Sequence, residues 1–211
     1  LPINNLEQPS SSKVGHHWAG APPCLTLDVS PKSMRSLLLI AFAICFLRAP
    51  LAGALTPDQV LKDMPEAEIE KALPEEHPSA YYLYAGRLFK EGKKDEAVFW
   101  FYVGQLRYRF HLKANPNLEP SGDPALFGSL SATLGEQING YAGGNTKDWV
   151  RAIDRALKWD AETKNGFTSK KKFAEVYEQN RAGLKKLRDQ IESQTDYIRE
   201  QRKQAGLENR G

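Results

Sequence analysis

The side chains with a reach for metal or acid–base chemistry are few and far apart. From residue 55 onward the histidines are His77 and His111 alone, and neither has a second histidine or an acid at ligand spacing. A zinc site would have to be assembled from scattered carboxylates, so no metal and no cofactor is expected. His77 reads as a loop residue among prolines. His111 reads as the polar end of a helix, where positive charge suits the carbonyl terminus.

Other candidates fare no better. Ser129 and Ser131 lie near Gly128 and Gly135, but the strand–turn–helix pattern of an activated serine is missing, and they read as small residues at a tight helix crossing. Gly143-Gly144-Asn145-Thr146-Lys147 lacks the spacing and the ending of a phosphate loop and reads as a turn. Glu75 with Glu76, or Asp154 with Asp160, would do acid–base work only if burial separated their proton affinities. Lys170-Lys171-Lys172 reads as a solvated face. No catalytic residue is expected.

The elements that would position any site are organised around Tyr81 to Phe110. Tyr81, Tyr84, Ala85 and Leu88 recur at helical spacing, as do Ala97, Phe101, Gly104 and Tyr108 after a Lys90–Lys94 break. The pattern predicts a helical hairpin with Gly92 in a left-handed turn and Asp95 and Glu96 at the electropositive start of the second helix. Phe99, Val103, Leu106 and Phe110 give that second helix another apolar stripe, so it needs more than one partner.

In this stretch Tyr81, Tyr84, Ala85, Leu88, Gly92, Ala97, Phe101 and Gly104 follow an order of aromatic, large, small, large, glycine, alanine, aromatic and small. That order resembles the tetratricopeptide repeat and its Sel1-like relatives over about one repeat, residues 79–110. Arg109 stands where the repeat often has proline. The resemblance implies an all-α fold of stacked antiparallel hairpins. It also implies a concave face lined by the first helix of each pair, which puts Tyr82, Phe89 and Lys90 there, with Arg107, Arg109 and Lys113 as a positive rim. Burial of Tyr82 and Phe89 under the entry helices or the long terminal helix is the competing expectation.

Further along, Glu66 to Leu73 predicts a short acidic helix ended by Pro74, after a helix start at Thr56-Pro57-Asp58-Gln59 that supplies Val60, Leu61 and Met64. Asp123-Pro124 opens a helix to about Tyr141, stopped by Gly143-Gly144-Asn145. Thr146 is the expected cap of the next one, which runs to Trp159. This second pair, 125–159, repeats the helix–turn–helix order in a degenerate form. A long final helix is expected from Thr168 to Gln204, overhanging the domain. Its seam of Tyr177, Asn180, Leu184, Leu187, Ile191, Gln194 and Ile198 either docks or pairs with a second chain, and the weak seam favours docking.

At the front, Met34-Arg35-Ser36, the apolar run Leu37–Leu47 and Ala52-Gly53-Ala54 have the order of a secretory signal at 34–54, cleaved after Ala54. The run is short for a membrane anchor and Arg48 interrupts it. Phe42 and Ile44 argue against a lipid on Cys45. Residues 1–33 show no periodicity and are set aside as an extension. The remaining 55–211 form one domain without cysteine, carrying 25 Lys and Arg against 24 Asp and Glu. That near-balance argues against a nucleic-acid binder. The expected function is non-covalent binding of a protein partner in the periplasm or outside the cell, as a scaffold, assembly factor or toxin-neutralising module. An envelope hydrolase with acidic residues and a carrier of lipid or small ligands are the alternatives.

Overall fold

The structure, a computed structural model, describes residues 64–211. The 1–33 extension, the signal-like segment at 34–54 and the helix start at Thr56–Gln59 lie outside the described residues. Seven α-helices and one 3₁₀ turn appear among the described residues, with no strand, so the chain is all-α. Among these residues no helix is long and apolar enough to cross a membrane.

Helix α1 (Glu66–Ala72) carries Glu66 and Glu68 in its first turn and runs into the 3₁₀ turn Leu73–Glu75, burying Ile69 and Leu73. The aromatic hairpin follows as α2 (Ser79–Lys90) and α3 (Lys94–Ala114). Gly92 takes φ +83° between them, and the Lys93 amide reaches back to the Leu88 carbonyl at 2.9 Å, closing the end of α2 in the left-handed manner that glycine permits.

α3 is the axis of the domain. Fourteen of its residues are buried, on every side of the helix from Ala97 to Ala114. A helix apolar all round must be wrapped, and α3 packs against α2, α4 (Asp123–Ala142), α5 (Thr146–Glu162) and α6 (Ala174–Ser193). α4 lies chiefly on α3 and only lightly on α5, while α5 packs against both α3 and α6. One polar relay joins the three: the Trp149 indole donates to Tyr102 Oη at 2.8 Å, and Tyr102 donates to Asn139 Oδ1 at 2.9 Å. Each buried polar atom of this relay thereby has a partner.

Asn145, not Thr146, caps α5, with its side chain accepting from the Asp148 amide at 3.2 Å; Thr146 is the first helical residue and is buried. The long final helix expected from Thr168 is two helices, α6 and α7 (Thr195–Gln204), and starts later. Thr168 and Ser169 are used in turns, where Asn165 Oδ1 accepts from the Thr168 amide and Ser169 Oγ from the Lys172 amide. At the break, Ser193 and Thr195 hydroxyls donate back to carbonyls of the preceding turn, competing with the helical ladder.

The seam of α6 docks within its own chain. Asn180 Nδ2 donates to the Leu106 carbonyl at 2.7 Å, and Leu184 and Ile191 are buried beside it. The expected overhang is absent, because α7 comes back onto the domain: Arg202 donates to the Gly140 carbonyl at 2.8 Å and the Arg210 amide to the Gly144 carbonyl at 2.6 Å.

Candidate functional site

The docking face expected at Tyr82, Phe89, Lys90, Arg107 and Arg109 does not form one surface. Tyr82 is 0% exposed, lying under α4 with its hydroxyl 3.3 Å from Ser131 Oγ and its ring edge-on to Phe101 and Phe127. Phe89 is half-buried, edge-on to Tyr141 with the Lys94 ammonium above it. Lys90 is exposed. Arg109 is half-buried, its guanidinium over Phe127 and its Nε bonded to Gln105. The helix that covers Tyr82 and Phe89 is α4, which follows the hairpin, so the competing expectation holds in the burial but not in the cover: neither the entry helices nor the final helix supplies these contacts.

Arg107 is a buried structural cation rather than part of a rim. It is 2% exposed, with Nε 3.1 Å from Asp160 Oδ1, Nη1 donating to Tyr81 Oη at 2.7 Å, and Nη2 donating to the Thr163 and Lys164 carbonyls. Asp160, 1% exposed, also accepts from Tyr177 Oη at 2.9 Å, with Arg181 and Lys170 at 3.5 and 3.6 Å. Burial pulls the Lys170 ammonium below its ordinary value even though Asp160 acts the other way. Burial, then the Asp160 charge, pushes the Tyr177 phenol up to about 12. Asp154, the imagined partner of Asp160, is exposed and paired with Arg188. These two acids do no shared chemistry.

Chemistry gathers elsewhere, at the end of α3. His77, ahead of α2, His111, in the last turn of α3, and Asp123, the first residue of α4, come together although 34 and 12 positions separate them in sequence. Asp123 Oδ1 lies 3.1 Å from His77 Nε2, and Asp123 Oδ2 lies 2.9 Å from His111 Nε2. Tyr108 donates to Asp123 Oδ1 at 3.3 Å. On their far sides the imidazoles meet hydroxyls: His77 Nδ1 is 2.7 Å from Ser79 Oγ, and His111 Nδ1 is 3.2 Å from Thr168 Oγ1. The Ser79 amide also donates to His77 Nδ1 and the Asn115 amide points at His111 Nδ1. Those donors leave each Nε2 protonated and directed at the carboxylate.

An aspartate at a helix start commonly spends its oxygens on capping. The cap position of α4 falls on Gly122, which has no side chain to offer, and Asp123, the first helical residue, turns its carboxylate to the two imidazoles. Phe167 closes the cluster from outside, its ring edge-on to His77 at 4.8 Å and to His111 at 4.9 Å while remaining 42% exposed. A cavity of about 310 Å³ adjoins it, bounded by His111, Asn115, Thr168, Lys172 and Phe173. Sequence spacing set these residues apart; the hairpin and the 115–122 loop bring them together.

Burial works to raise the Asp123 carboxyl, but the hydrogen bonds from His111 and His77 outweigh it and hold the group below its ordinary 3.8. A carboxyl depressed on folding stabilises the fold above its unfolded value, and that contribution is lost as pH falls through the folded value. The melting-temperature gap between wild type and Asp123→Asn should therefore be open at neutral pH and narrow steadily as the pH drops below 3.8. A gap that stays constant down to acid unfolding would remove the bonded carboxylate from the account.

Comparison with family models, with curated proteins and with solved structures finds no significant match for this chain. The remaining functional surface is therefore read from chemistry alone. α4 turns outward Ala125, Leu126, Gly128, Ser129, Ala132, Thr133, Gln137 and Gly140, with Glu136 as the single charge on that side. Leu126 is 43% exposed. α6 does the opposite, showing Glu175, Glu178, Lys185, Lys186, Asp189 and Glu192 to solvent. A second cavity, about 360 Å³, opens between α3, α4 and α5 and is bounded by Asp95, Arg151, Arg155 and Arg210 beside Tyr141 and Trp149.

Proposed function

We propose that this chain is a non-catalytic helical binding module of an extracytoplasmic compartment, and that it holds a helix of a protein partner against the outward side of α4. The observation that carries the reading is the contrast between that side and the charged outer face of α6. A nearly uncharged surface of small residues is cheap to strip of water, loses little side-chain entropy on docking and lets another helix come close. Gly128 and Gly140 have open space where a side chain would begin, which leaves room for that approach. Leu126 supplies an anchor at one end. Export rests on the signal-like segment at 34–54, and the likeness of 79–110 to a tetratricopeptide repeat supports a stacked-hairpin binding scaffold.

The test places a photocrosslinking residue at Ala132 on α4 and, separately, at Lys185 on α6. An adduct of defined added mass from position 132, none from 185, and its loss in Leu126→Asp is the expected result. Equal labelling from both positions, or no intermolecular adduct from 132, overturns the reading.

A second reading, a hydrolase, has one specific observation in its favour. Ser79 Oγ, His77 Nδ1, His77 Nε2 and Asp123 Oδ1 stand in the order hydroxyl, imidazole, carboxylate, at 2.7 and 3.1 Å. The Ser79 amide shares the same ring nitrogen at 3.2 Å, which ties that imidazole to the start of α2. Covalent labelling by a fluorophosphonate, abolished by Ser79→Ala, would establish the hydrolase; no labelling would dismiss it. The arginines and aspartates around the larger cavity do not suit a lipid.

A further inference from the structure

We propose that His77, His111 and Asp123 form a site for one divalent transition-metal ion of the zinc class, with three protein donors and a fourth position open to water or an anionic ligand. The inference does not depend on the docking face of α4. The three donor atoms lie within 4.8 Å of one another. Donors around a tetrahedral ion with bonds of about 2.0–2.1 Å stand roughly 3.4 Å apart. Asp123 Oδ1 is 3.1 Å from His77 Nε2 and Asp123 Oδ2 is 2.9 Å from His111 Nε2, so whichever oxygen ligates already stands near that spacing from one imidazole. The widest pair has to close by at most about 1.4 Å to reach tetrahedral spacing. His77, half-buried on the loop ahead of α2, can supply that movement.

The groups behind the ligands suit coordination. A metal takes the Nε2 lone pair, so each neutral imidazole must carry its proton on Nδ1. The proton moves through solvent from Nε2 to Nδ1 of the same ring, with no net release. Ser79 Oγ and Thr168 Oγ1 stand at those Nδ1 atoms, and a hydroxyl accepts as readily as it donates. The change gives up two contacts, from the Ser79 amide and the Asn115 side chain, both at 3.2 Å. Asn115 keeps its bond to the His111 carbonyl at 2.9 Å.

Two imidazoles and one carboxylate favour zinc, cobalt, nickel or copper over calcium or magnesium, which prefer all-oxygen shells. Phe167 screens the rings from bulk water, and the cavity beside His111 leaves room for the fourth ligand, with Lys172 at its edge.

The experiment uses the full chain, stripped with chelator and titrated with zinc chloride by calorimetry, with cobalt(II) absorption as a reporter of four-coordination. One ion per chain is expected, with His111→Gln and Asp123→Asn each weakening binding at least about 100-fold, and His16→Gln/His17→Gln leaving it unchanged. Should either donor variant lose its helical circular dichroism, Ser79→Ala keeps every donor and is expected to weaken binding about 10-fold. No stoichiometric binding, binding indifferent to these variants, or binding lost with His16 and His17 would overturn the site. Crosslinking at Ala132 that persists in chelator keeps the two proposals separable.

Discussion

Replacing Asp160 with alanine is expected to remove roughly 3–5 kcal/mol of stability, because it leaves Arg107 charged and buried without its counter-ion. Arg107 is 2% exposed, and Lys170 and Arg181 close on the same carboxylate from other sides. One acid thus balances three bases at the junction of α3, α5 and α6. Arg107 keeps Tyr81 and two carbonyls as partners, but those neutral acceptors do not offset the charge. The double variant Arg107→Met/Asp160→Leu, which removes both buried ions, should lose less than the sum of its two single changes. Urea unfolding measures all four corners of the cycle. A single-variant loss below about 1 kcal/mol, or strict additivity, would show that water reaches this cluster.

Gly104→Val should cost about 3 kcal/mol, at the upper end of what overpacking does to a tight core. A Cβ built on Gly104 would stand 2.9 Å from Tyr81 Cβ and 3.1 Å from Tyr82 Cδ2, so α2 and α3 touch there with no side chain between them. Tyr81 Cβ cannot swing away, since it is fixed to the backbone of α2, and the Tyr82 ring is held under α4. The contrast is Gly183 in α6, where an added Cβ meets nothing within 4 Å. Gly183→Ala is expected to stabilise by up to about 1 kcal/mol through helix propensity alone. Thermal melts of the two variants should move in opposite directions; movement of both upward would mean that the hairpin has slack.

The helices were legible where one local signal dominated. Gly92 takes the left-handed turn that its position between two apolar stripes demanded, and Gly143-Gly144 stop α4 where a cluster of glycines should. Asp123 opens α4, but its carboxylate does not cap, and nothing in the string Ser121-Gly122-Asp123-Pro124 reveals that it faces two histidines. Tyr82 and Arg107 are buried rather than displayed for a related reason. Helical spacing gives the side of a helix on which a residue lies, while the identity of what covers that side depends on residues 49 and 53 positions away: Ser131 over Tyr82, Asp160 beside Arg107. The break at Gln194 is hidden in the sequence because the apolar seam continues through it, whereas hydroxyls at Ser193 and Thr195 unseat the backbone. The His77–His111–Asp123 cluster was illegible altogether, since its members share no element.

That α3 is wrapped mainly by segments made after it has a consequence for biogenesis. Its partners reach it across 47 residues from Trp149, 53 from Asp160 and 74 from Asn180. A chain emerging from its amino end presents Phe99, Phe101, Tyr102 and Phe110 while, among the described helices, α1 and α2 alone have been made. The newborn hairpin is a sticky precursor that ripens only once the last third of the polypeptide arrives, and a holding chaperone has its natural client in that interval.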